Sequence, residues 1–159
     1  MKTIYTEIEI HASAERVWRL LTDFAHFPQW NPFIRRISGE AKTGARLEAF
    51  LQPPGVRGMV FHPVVLKAEQ NRELRWIGRL WIPKLFDGEH SFTLTPRGAD
   101  SIHFVQQETF TGILVPLFAR TLVATKRGFD EMNHALKVLA EQTANDSESG
   151  STTYRTVMP

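Results

Sequence analysis

His90, Gln106 and Glu108 are polar residues whose neighbours in sequence draw them toward an apolar interior. In the run 89–96, His90, Phe92 and Leu94 alternate with Glu89, Ser91, Thr93 and Thr95, and a strand puts each set on its own face. The run 101–111 repeats the pattern. Ile102, Phe104, Gln106, Glu108 and Phe110 oppose Ser101, His103, Val105, Gln107 and Thr109. The apolar faces must turn inward, and the three polar residues go with them. A buried polar group without a partner costs a few kcal/mol, so these side chains require one another or a wet site. An imidazole oriented by a carboxylate is equipped for general acid–base work. The same pair, fully satisfied, also serves simply to plug a core. His90 and Glu108 are therefore the catalytic candidates, with both readings open.

Two further runs extend this face. In 73–82, Leu74, Trp76, Gly78 and Leu80 oppose Arg75, Ile77 and Arg79. In 59–69, Val60, His62, Val64, Leu66 and Ala68 oppose Phe61, Val65, Lys67 and Glu69. A slip of one residue would invert either assignment. A mostly hydrophobic space with a few convergent polar groups is the usual build of a small-molecule site. The strands are expected to contribute His62, Leu66, Trp76, Gly78, His90, Phe92, Phe104, Gln106, Glu108 and Phe110 to it, and the last helix Leu122, Thr125 and Phe129. The aromatic set, which also includes Trp81, Phe86 and Phe118, suits a flat or lipid-like ligand and equally suits plain core filling.

These residues need a frame. From Phe118 an apolar stripe runs through Leu122, Phe129, Met132, Leu136 and Leu139, with Thr125 in the vacant place. Steps of four and three keep it on one helix face. One continuous helix over 117–141 is expected, with Pro116 at its start. Gly128 inside it costs roughly 1 kcal/mol relative to alanine, which points to close backbone approach or to space kept for a ligand, with a tolerated accident as the alternative. Near the N-terminus, residues 3–10 alternate as a strand, and Ser13 caps a helix carrying Val17, Leu20, Leu21 and Phe24. Phe27 to Phe33 holds two prolines and reads as a short helical turn leading to a strand.

Strands are expected at 33–39, 45–52, 59–69, 73–82, 89–96 and 101–111, separated by turn chemistry such as Lys42-Thr43-Gly44 and Gln70-Asn71-Arg72. Their close spacing predicts an antiparallel meander. The Pro53–Gly58 loop resembles a lip over a cavity mouth, or an ordinary hairpin connection. Residues 1–142 form one domain in this reading, and 143–159, polar and without period, a disordered tail.

With 159 residues and a net charge of +2, the chain gives little basis for nucleic-acid binding. It has no cysteine, so disulfides, thiolate metal sites and a cysteine nucleophile are excluded. Its six histidines show no metal-ligand spacing, and no P-loop, nucleophile elbow or dinucleotide fingerprint occurs. No metal or cofactor is expected. The N-terminal residues do not read as a signal peptide and no run spans a bilayer, so the expectation is a cytoplasmic protein without integral membrane association.

The order strand, helix, short helix, six strands, long helix accompanies Trp30-Asn31-Pro32-Phe33, Leu74-Arg75-Trp76 and Leu85-Phe86-Asp87-Gly88-Glu89-His90. Together these resemble the START-like (SRPBCC) superfamily over about residues 2–142, and within it the polyketide cyclase/dehydrase and lipid-transport group. The resemblance implies an α+β helix-grip fold: a seven-stranded antiparallel sheet wrapped around the C-terminal helix, with a deep cavity between them. It also implies a hydrophobic or aromatic small-molecule ligand. Two other classes stand beside that one. They are a cyclase/dehydrase-type enzyme using a cavity His or Glu, and a partner-interaction domain of the chaperone or activator kind. Self-association into a homodimer is left open.

Overall fold

The computed structural model describes residues 1–79 and 84–149. Antiparallel strands enclose one long helix. The order is β1 (Lys2–Ile10), α1 (Ala14–Thr22), a 3-10 turn (Phe24–His26), α2 (Phe27–Trp30), β2 (Ile34–Ser38), β3 (Glu48–Leu51) and β4 (Met59–Phe61). Then come β5 (Val64–Glu69), β6 (Glu73–Arg79), β7 (Asp87–Pro96), β8 (Ile102–Thr111), a second 3-10 turn (Val115–Phe118) and α3 (Ala119–Ser149). Trp81 and residues 150–159 fall outside the described residues, as does the side chain of Phe118.

Among the described residues the strands number eight, in a five-stranded sheet ordered β1-β8-β7-β6-β5 and a three-stranded sheet ordered β2-β3-β4. This differs from the single seven-stranded sheet expected. The run 59–69 divides at Pro63, which has no N–H to continue a ladder. A bridge between Arg46 and Val64, with Leu47 N donating to Pro63 O (2.8 Å), ties the two sheets together across the break.

The inward set of this run also differs from the expectation. Val65 is buried, whereas Val60 and Leu66 are exposed and His62 turns outward, 3.4 Å from Glu48. A bulge between Val65 and Lys67 takes up Leu66 and brings Ala68 back against the core. His62 and Leu66 therefore stand outside the enclosed space. A one-residue change of phase inverts every side chain until a bulge restores it.

The first helix begins as its sequence indicates, with Ser13 Oγ accepting from Arg16 N at 3.3 Å. Beyond α2, Asn31 is fully buried and its Oδ1 accepts from both Phe33 N (3.0 Å) and Ile34 N (2.8 Å). That Asx-type turn aims the chain into β2.

Helix α3 continues through Gly128 and buries Leu122, Thr125, Phe129, Met132, Asn133, Leu136 and Ala140. Gly128 is where Phe33 approaches: a Cβ there would lie 2.5 Å from the Phe33 ring, itself packed edge-on against Phe129. Of the explanations for this glycine, close packing is the one the geometry supplies. The helix runs to Ser149, past the boundary at 142 expected from sequence. Propagating a helix adds a hydrogen bond for each residue fixed, and no glycine or proline intervenes before Gly150.

Candidate functional site

Rungs of the five-stranded sheet assemble the polar end of the interior. Val65, Trp76, His90, Glu108 and Ile4 are successive partners across β5, β6, β7, β8 and β1. One rung along, Gly78, Gly88 and Phe110 align; on the other side, Leu74, Phe92, Gln106 and Thr6 align. The three rungs are two residues apart on β6, β7 and β8, so all point to the same face.

That face and α3 enclose a half-open pocket of about 150 Å3, closed on its other side by the three-stranded sheet. Trp76, Gly78, His90, Glu108, Phe110, Leu122 and Thr125 line it, as does Phe86. The opposite wall comes from Phe33, Ala49, Leu51, Met59, Phe61 and Pro63. Pro53, Val56 and Arg57 of the 53–58 loop stand at its edge. Phe92, Phe104, Gln106 and Phe129 are fully buried and form the layer beneath the pocket rather than its surface. The opposite wall went unread in the sequence. Its signal was the Ala49–Leu51 alternation and the phase of Phe61, which Pro63 obscures.

Glycines make room for the polar groups. A Cβ at Gly88 would sit 2.5 Å from Glu108 Oε1, so only glycine opposite Phe110 leaves the carboxylate its place. His90 is 2 % exposed and fixed on all sides. Trp76 stacks on it at 5.2 Å, and Phe92 and Phe129 tilt against it at 4.5 and 4.9 Å. His90 Nδ1 is 3.4 Å from Glu108 Oε2, and His90 Nε2 is 3.1 Å from Gln106 Nε2.

Beneath this lies a second polar contact that sequence reasoning missed. Asn133 Nδ2 donates to Thr6 Oγ1 at 2.9 Å, and that hydroxyl donates to the Gln106 carbonyl at 3.2 Å. Asn133 occupies a place in the buried stripe of α3, which was the available sign of it. Gln106 Oε1 and Asn133 Oδ1 are buried and have no hydrogen-bond partner. Among the described residues, no three His, Asp or Glu side chains converge as they would around a metal ion, and no helix is long and apolar enough to cross a membrane.

The family model for polyketide cyclase/dehydrase and lipid transport matches residues 1–141. The chain belongs to this family. Solved structures of the same fold include a START superfamily protein from Mycobacterium smegmatis, with 22% identity, TM-score 0.69, and coverage of 89% of this chain and 98% of that one. The ZhuI aromatase/cyclase from Streptomyces sp. R1128 is similar at 12% identity and TM-score 0.73, covering 90% and 95% of the two chains. Norcoclaurine synthase from Thalictrum flavum, solved with dopamine and hydroxybenzaldehyde, is similar at 16% identity and TM-score 0.67, covering 89% and 87%. No curated protein matches the sequence. Identities this low carry the START-like, helix-grip fold and leave activity open.

Proposed function

We propose that this protein binds a hydrophobic, single-ring aromatic molecule in the pocket between its sheets and α3. The observation that carries the reading is the pocket's build: apolar walls, about 150 Å3 of space, and His90 with Glu108 at one end. Cavities of that size accept a benzene ring, whereas larger ligands occupy roughly 300 Å3 or more. The likeness to a synthase solved with dopamine and hydroxybenzaldehyde, both single-ring compounds, agrees with this class of ligand.

Titration calorimetry with single-ring aromatics tests the reading. Wild-type protein should bind, and Leu122→Trp, which fills the pocket from α3, should not, while its circular dichroism stays unchanged. Equal binding by both proteins would refute a ligand in this pocket.

Acid–base catalysis of the cyclase/dehydrase kind is the second reading. It is favoured by the His90–Glu108 contact facing the pocket, because an imidazole and a carboxylate in reach of one substrate can move a proton. Under that reading Glu108→Gln would abolish turnover of a bound aldol-type substrate while leaving its affinity measurable.

A further inference from the structure

The pocket floor has a fixed hydrogen-bond polarity, set one layer below the ligand by Gln106. Gln106 is fully buried, and its amide nitrogen lies 3.1 Å from His90 Nε2 and 3.6 Å from Met132 Sδ. In this orientation the N–H groups have two acceptors and only Oε1 lacks a partner. The flipped amide would set its oxygen beside His90 Nε2 and against the thioether, a weak acceptor and no donor, and move both N–H bonds to the place where Oε1 finds no partner. A neutral imidazole donating to that oxygen from Nε2 would turn its bare Nδ1 lone pair to the Glu108 carboxylate. One unpartnered carbonyl oxygen costs less than an NH2 without acceptors, so the observed orientation is the favoured one.

An N–H directed at His90 Nε2 requires a lone pair there. In the neutral imidazole the proton then sits on Nδ1, the atom 3.4 Å from Glu108 Oε2. The N–H side of the histidine thus faces one carboxylate oxygen. The other, Oε1, lies over Gly88, where no Cβ intrudes, and both residues line the pocket. An ionised carboxylate only accepts. A ligand reaching the floor therefore meets an acceptor whose other oxygen already faces the imidazole N–H.

We infer that Gln106 positions the His90–Glu108 pair so that the site selects aromatic ligands bearing a hydroxyl donor, phenols above all, over their ethers and over aromatic carboxylates. This deepens the ligand-binding reading given above and rests on it. A phenol O–H satisfies Glu108 Oε1. An ether leaves that oxygen desolvated and unpaired, and a carboxylate adds a second negative charge beside it.

The test compares 4-ethylphenol, 4-ethylanisole and 4-ethylbenzoate by calorimetry on the full chain, alongside 15N NMR of the His90 ring. The phenol should bind roughly ten- to a hundredfold more tightly than the anisole, the range for a hydrogen bond to a charged group, and the benzoate should bind most weakly. The His90 ring should show the Nδ1–H tautomer. Gln106→Met, which removes the directing amide while keeping an unbranched side chain, should mix in the Nε2–H tautomer and narrow the phenol preference. Phenol and anisole binding equally, or an Nε2–H tautomer in the wild type, would overturn the inference and leave the aromatic-ligand reading standing. Binding of none of the three would sink that reading, and this inference with it.

Discussion

His90 Nδ1 lies 3.4 Å from Glu108 Oε2, at directly opposed positions of β7 and β8. The two partners are unequally placed. The imidazole side chain is 2 % exposed and the carboxylate 12 %. In the proposed site Glu108 is therefore the member set to meet a ligand, and His90 the member behind it. Glu108→Gln keeps the shape of the side chain and should keep the fold, while weakening a donor-bearing ligand by about 1–3 kcal/mol. Paired melting and binding titrations separate the two effects.

Much of this arrangement was readable in the chain. The alternation through His90, Phe92 and Leu94 and through Phe104, Gln106 and Glu108 is uninterrupted, and both strands kept the predicted phase over their whole length. The stripe of α3 was equally plain. Legibility failed where local geometry reset the phase. The bulge at Leu66 breaks the alternation of 59–69, so a phase that suits Ala68 fails for the residues before it, where Phe61 and Val65 face inward and His62 outward. The contribution of Gln106 depends on which way an amide points. That depends on His90 and on Met132, 26 residues away, and so on tertiary packing that periodicity does not encode.

Trp76 is 6 % exposed, stacks on His90 and meets Phe92 edge-on at 5.3 Å. Trp76→Ala removes both contacts and enlarges the pocket. It should lower stability by about 3–5 kcal/mol, read as a fall in the denaturant midpoint.

Gly128→Ala should destabilise the protein even though alanine is the better helix former. The propensity gain is about 1 kcal/mol. Against it stands the overlap with Phe33, whose ring is 1 % exposed and pinned by Phe129, and overpacking of this kind costs about 1–3 kcal/mol. A lower melting temperature is expected. A higher one would mean that Phe33 has room to move.

Glu73 predicts part of the acid sensitivity. Burial raises its carboxyl, but hydrogen bonds from Lys67 and Arg75 outweigh that and hold it below the ordinary carboxylate value. A group depressed in the folded state adds stability above its unfolded value of about 4.3, and that stability is lost as pH falls through the folded value. Glu73→Gln should therefore flatten the decline in melting temperature below about pH 4 and change little of its shape at neutral pH.

A crystal structure with 4-bromophenol tests the central claim most directly, because the bromine locates the ligand by its anomalous signal. The peak should fall among Trp76, Phe110 and Leu122, with the phenol oxygen within hydrogen-bonding distance of Glu108 Oε1. A peak confined to the outer groove beside Leu20, Trp30 and Leu139, or none in the pocket at saturating ligand, would contradict it.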